Sequence, residues 1–255
     1  MTDNLATWRV ETLRLTLFTE TPIDITNLQW WENIADTQAE ARVIQPKLGR
    51  LQVAGPVKGG VCSLALDCQP QRIDWLLTPQ FLEGQEVSSF PTFAPLPEAV
   101  AIYRDLLLPW LHDAPVTVRV AFGAVLTREV AGRKQGYEAL AAFLPGIQLD
   151  SDNSSDFSYQ INRPRASVSG IDALRINRLS KWSVVKLSGL VIEVTAGQPT
   201  ARVFAPTGDV YGCRVEMDIN SAPEYRSQIP HDMLVTLLEE LISLGLEIAR
   251  MGDIP

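Results

Sequence analysis

The sequence is short of the residues that do chemistry. Among 255 residues there are only two histidines and three cysteines. No apolar run approaches the roughly 20 residues a membrane-spanning helix needs. No glycine-rich phosphate loop or nucleophile elbow is present. The cysteines, Cys62, Cys68 and Cys213, are odd in number and wrongly spaced for a disulfide framework or a zinc site. Cys62 and Cys68 share one side of an alternating segment with Leu64 and Leu66, so they read as small buried hydrophobes. That usage suits a reducing compartment. The N-terminus has neither the basic flank nor the apolar stretch of a signal peptide, and the expected location is cytoplasmic. His112 and His231 both fall at expected helix ends, which accounts for them without catalysis. The run Asp150 to Asp156 resembles the start of a calcium loop. It has Ser155 where the sharp turn needs glycine and Ile161 where the twelfth position needs glutamate. No catalytic residue, metal ligand or cofactor is expected.

What is present is ordinary globular material. Apolar residues make up 46% of the chain and charged residues 20%, enough to bury a core without staples. The net charge of −8 argues against a nucleic-acid or anionic-membrane surface, which would need basic residues. The charge is uneven. Between Gln160 and Leu190, Arg163, Arg165, Arg175, Arg178, Lys181 and Lys186 stand against Asp172 alone.

Periodicity sets out the elements. Leu13, Leu15 and Leu17 alternate with Thr12, Arg14 and Thr16, which predicts a strand with one buried side. Asp24 is placed to cap a helix carrying Ile25, Leu28, Trp31 and Ile34. Short strands are expected at 41–45, 49–54, 61–68 and 72–78. A proline-rich linker follows at 79–97, then a helix striped with Ala99, Ile102, Tyr103, Leu106 and Trp110 that Pro109 should end. The pattern then restarts. A strand runs through Val116, Val118, Val120 and Phe122, and a short helix through Tyr137 and Leu140. Strands follow at 156–163, 173–178, 182–194, 200–205 and 210–220, and a leucine-striped helix at 231–251. The expected class is α+β, with two similar halves, each a mainly antiparallel sheet with a long helix packed on one face. The boundary falls near residue 90, giving 1–90 and 91–255, unless the two form one continuous domain.

Arg214-Val215-Glu216-Met217-Asp218-Ile219-Asn220 precedes the last helix. This R-x-E-x-D-I-N strand resembles one in a widespread set of uncharacterised bacterial proteins with a tandem β-α-sheet-α layout. The resemblance covers about the last fifth of the chain and implies no activity.

Alternation also predicts where function could sit. One side of each strand is apolar and lies under helices. The other carries Arg14, Arg119, Arg214, Glu216, Asp218 and Asn162. These residues are the expected partner-binding set of a non-enzymatic protein-binding or assembly subunit. The expected partner is another protein, with a second copy of the chain and a small anion as further candidates. The basic stretch offers a second reading. Arg163, Arg165, Arg175, Arg178 and Lys181 could bind an anion, making the chain a ligand-binding domain or an enzyme on a phosphorylated or carboxylated substrate. A nucleic-acid reading would use the same stretch and Trp182 as a stacking platform. The six tryptophans otherwise read as core.

Overall fold

The computed structural model describes residues 4–35, 37–80, 89–187, 191–195, 198–202 and 209–254. In chain order the strands are β1 (Arg9–Thr19), β2 (Ala41–Gln45), β3 (Arg50–Val57), β4 (Cys62–Gln69), β5 (Arg72–Pro79), β6 (Thr117–Val130), β7 (Ser158–Asn162), β8 (Arg165–Ala166), β9 (Arg175–Leu187), β10 (Val191–Thr195), β11 (Gln198–Arg202) and β12 (Val210–Ser221). The α-helices are α1 (Trp30–Ile34), α2 (Leu96–Trp110), α3 (Arg133–Ala141) and α4 (Leu234–Met251).

Ten strands form one sheet in the order β2-β3-β4-β5-β1-β6-β12-β9-β7, with β8 also on β9, while β10 and β11 pair as a separate hairpin. Every pairing in it is antiparallel. The first strand of the chain, β1, therefore lies beside β6, with Leu13 opposite Ala124, Leu15 opposite Phe122 and Leu17 opposite Val120. One antiparallel sheet with helices is an α+β fold. The expected boundary at residue 90 lies between β5 and β6, which are both hydrogen-bonded to β1.

The helices cover one side of the sheet. Helix α4 rests on β6, β12 and β9, α2 on β1, and α3 on β12 and β9, while α1 packs on α2. Their apolar stripes explain the choice. Leu237, Leu238, Leu241, Gly245 and Ile248 of α4 recur at three- and four-residue spacing and are buried. Each buried leucine contributes ~2 kcal/mol relative to exposure. Gly245 is small because a Cβ there would sit 2.8 Å from the Phe122 ring. Beneath the end of α4, Phe143 stacks on Trp182 and Trp8 meets both at an angle, and the Trp8 indole N–H donates to the Ala249 carbonyl at 2.9 Å. Trp30, Trp110 and Trp75 make a second edge-on cluster where α1 and α2 meet the sheet.

Several expected elements differ in extent. Asp24 does not cap a helix. Its carboxylate accepts the Thr26 amide at 2.9 Å, closing a turn that competes with helix formation, and α1 is confined to Trp30–Ile34. The strand expected at 173–178 and the first part of that expected at 182–194 form one strand, β9, because Leu179, Ser180 and Lys181 keep the alternation, while residues 191–194 belong to β10 and residues 188–190 lie outside the described residues. Much of the expected linker at 79–97, namely 81–88, lies outside the described residues. Pro109 stands in the last turn of α2, which gives way to a 3-10 turn at Leu111–Asp113.

The last turn of α4 is closed by Gly252 at φ +80°, whose amide donates to Ile248, while the Asp253 amide donates to the Phe143 carbonyl at 2.8 Å. A Cβ on Gly252 would collide with that carbonyl. Replacing Gly252 with alanine is expected to cost about 3 kcal/mol and to lower Tm by roughly 6–12 °C. A thermal melt showing a fall under about 2 °C would mean that the helix end is not held against Phe143.

Candidate functional site

Among the described residues the helices leave the opposite side of the sheet without helical cover. At one end Phe90 packs there, against Gly212 and Thr127. The strand registers carry Arg14 and Thr16 of β1, Arg119 and Gly123 of β6, Arg214, Glu216, Asp218 and Asn220 of β12, Asn177 and Lys181 of β9, and Asn162 of β7 to this face. All six residues expected to bind a partner thus share it.

They are joined by side-chain contacts. Arg14 meets Asp218 at 3.5 Å. Asn220 donates to Asp218 at 2.9 Å and accepts from Asn177 at 3.2 Å, and Asn162 donates to Asn177 at 3.0 Å. Arg119 donates to Asn220 at 2.8 Å and to the Ser221 carbonyl at 3.2 Å. Its guanidinium also lies 5.4 Å from the Phe18 ring, which Arg72 approaches at 5.6 Å. Beyond Phe18, Arg72 pairs with Asp74, which accepts the Thr16 hydroxyl at 2.6 Å. Arg214 bridges Glu11 at 3.1 Å and Glu216 at 3.3 Å, and Glu216 also takes Lys181 at 3.4 Å. Side-chain exposures of 33% for Arg14 and 31% for Arg214 place these ion pairs at the surface. Each such pair is worth at most about 1 kcal/mol, so the network orients more than it stabilises.

Sequence reasoning missed two parts of this face. Glu11 is the extra residue of a β-bulge, since Val10 pairs with Leu126 and Thr12 with Val125. The bulge turns the Glu11 carboxylate to Arg214 and the Thr127 hydroxyl. The readable signal was the break of phase between Val10 and Leu13, both buried yet three apart. Gly123 is the second. A Cβ there would lie 3.2 Å from Arg14 Nε, so the missing side chain lets Arg14 lie across β6. A trough of about 290 Å³ opens here, walled by Leu76, Val125, Leu179, Glu216 and Asp218.

The expected anion-binding set divides. Arg178 lies on the helix side of β9, opposite Ile219, with its side chain 3% exposed. Its nearest carboxylate is Glu247 of α4 at 3.9 Å, and burial lowers its pKa. Arg165 pairs with Glu247 at 3.4 Å. Arg163 grips Asp253 with two bonds of 2.9 Å, and Tyr159 donates to the same carboxylate at 2.9 Å. Three arginines therefore converge on the end of α4 and are engaged by its carboxylates. They tie the helix to β7, β8 and β9. Lys181 belongs to the polar sheet face. Arg175 stands apart at the sheet's end, exposed. The stacking platform considered for nucleic acid is absent at Trp182, which is 0% exposed and stacked on Phe143.

Asp150 accepts the amides of Asp152 and Asn153 in a polar turn, and no group of three or more potential metal ligands occurs among the described residues. Burial pushes the Cys68 thiol up to about 12 and that of Cys213 to about 11. Among the described residues no helix is long and apolar enough to cross a membrane.

The chain is an open-faced α+β protein: one antiparallel sheet, helices on one side, a cross-linked polar array on the other. No family model, no curated protein and no solved structure matches it.

Two outcomes are expected. Arg163 holds the Asp253 carboxyl below its ordinary value of 3.8. A depressed carboxylate stabilises the fold fully above about pH 4 and loses that contribution as pH falls through the folded-state value. Urea midpoints of wild type and Asp253→Asn should therefore differ most near neutrality and converge in acid. A constant gap across pH would show the pair to be idle. All three cysteines are buried. A chromogenic disulfide reagent should label the native chain slowly and all three thiols once it is unfolded; fast native labelling would contradict their burial.

Proposed function

We propose that this chain is a non-enzymatic protein-binding or assembly subunit that meets its partner with the helix-free side of its sheet. The observation that carries this reading is the Gly123 trough set within a lattice of paired side chains. Arg14, Arg214 and Lys181 are already oriented by Asp218, Glu11 and Glu216, so less freedom is lost when a partner arrives. Leu76, Val125 and Leu179 offer apolar contact between the charges, and the trough has room for one inserted side chain. Arginine and half-buried apolar groups are the usual contents of an interface centre. The partner's matching surface would be a polar patch with both signs of charge around one projecting apolar or amide side chain. The expected setting is cytoplasmic.

The two halves are further proposed to be a repeat. Each runs strand, helix, strands, long helix. Reading outward from the β1–β6 junction, each side passes from its first strand to the one before its long helix, β5 on one side and β12 on the other. In a repeat, the polar face would be a composite of two equivalent surfaces meeting at Arg14 and Gly123.

Reversing two charges, Arg14→Glu with Lys181→Glu, tests the proposal. Cross-linking and mass spectrometry on the native chain should identify a stoichiometric protein partner, and the double variant should lose it at least tenfold while Tm changes by under ~3 °C. A matched reversal on the helix layer, Arg104→Glu, leaves the partner bound. Equal capture by wild type and the sheet-face variant would overturn the reading.

A further inference from the structure

A second concavity lies at the end of the sheet, away from the trough. It runs between the segment joining β8 to β9 and the segment joining β12 to α4, with a volume of about 860 Å³. That size is within the range of ligand sites, about 300–1,000 Å³. Its floor is apolar: Ile171 and Ala222 are buried, and Tyr225 and Met233 pack on the core. Arg175 stands on one wall and Arg226 on the other, both exposed.

Three features mark the groove as built. The first is its arginines. Those of the polar face and of the α4 end each have a carboxylate or amide oxygen within 4 Å. Arg175 and Arg226 have none among the described residues, although the chain as a whole carries a charge of −8. The second is the fixing of one wall. Glu240, on the buried stripe of α4, accepts the Ser167 hydroxyl at 2.6 Å, the Val168 amide at 2.8 Å and the Ser169 amide at 3.1 Å. Burying a carboxylate is costly unless donors surround it, and here they all come from this one loop. The third is backbone strain in the same loop. Ala173 holds a φ of +56°, a conformation strained for any residue with a side chain. Such strain collects at binding sites.

We propose that this groove binds a monoanion consisting of a carboxylate on an apolar body. The guanidinium forks of Arg175 and Arg226 would take the carboxylate from opposite walls, and Ile171, Tyr225 and Met233 would receive the apolar part. Asn177 lines the same end and adds an amide donor. Asp172 and Glu224 also line the groove, and they set the charge limit. They balance the two arginines and so oppose a phosphate dianion or a polyanion more strongly than a single carboxylate. The carboxylate can come from the end of a peptide or from a free organic acid. The groove shares Asn177 with the polar sheet face, but its two arginines and its apolar floor lie outside that network.

Isothermal titration of the whole chain with matched probes tests the proposal. The probes are N-acetylphenylalanine, its amide, the N-acetylated peptide Ala-Ala-Ala-Phe with a free terminus, and phenyl phosphate. At least one of the two carboxylates should bind, with the amide about tenfold weaker. Arg175→Ala and Arg226→Ala should each weaken carboxylate binding about tenfold without lowering Tm, since both side chains are exposed. Tighter binding of the peptide assigns the site to a chain terminus, and tighter or equal binding of N-acetylphenylalanine assigns it to a free acid. Any of four results overturns the proposal: neither carboxylate binding at about 10 mM, equal binding of acid and amide, tighter binding of phenyl phosphate, or unchanged affinity in both arginine variants.

Discussion

The pairing of β1 with β6 is the constraint on which the rest of the molecule depends. These strands come from opposite sides of α2, and their hydrogen bonds make one sheet of what would otherwise be two. Their shared apolar side, Leu13 to Leu17 against Val120 to Ala124, is the platform for both long helices. Tyr103 of α2 and Gly245 of α4 both meet Phe122. Their shared polar side sets Arg14 across Gly123 and brings Glu11 to Thr127. Because strand side chains alternate, a slip of one residue would exchange these two sides. Core and polar face are therefore fixed by the same register.

The cations near α4, on the polar face and in the groove are held in three different ways. Those beneath α4 are engaged by Glu247 and Asp253 and act as fasteners. Those on the polar face are held by carboxylates and amides in reach of solvent. Arg175 and Arg226 have no such partner among the described residues. Arg178 and Lys181 are three residues apart on β9, which places them on opposite sides of the sheet. One joins the helix layer and the other the polar face. The two readings of the basic stretch thus apply to different residues within it.

Much of this was legible in the sequence. Period-two alternation located most of the strands, and the spacing of apolar residues located α2 and α4, because each element has one buried side and the pattern records it. The co-location of Arg14, Arg119, Arg214, Glu216, Asp218 and Asn162 follows from the same alternation. What alternation could not give is partnership. Nothing local says that Arg163 would be held by Asp253, 90 residues away, or Arg104 by Glu239, 135 away. Nor does it mark Arg178 as buried, since a guanidinium on an apolar stripe reads as an exposed residue until the helix that covers it is placed. The bulge at Glu11 moved a carboxylate to the polar side through one extra residue, and a strictly periodic reading passes over such a defect.

The bond from Trp8 to the Ala249 carbonyl spans 241 residues. During synthesis β1 can pair with β5 early, yet its second edge waits for β6 and the Trp8 indole waits for the last turns of α4. Until α4 has been made, the nascent chain displays one open strand edge and an unmet indole, which are surfaces that a holding chaperone covers.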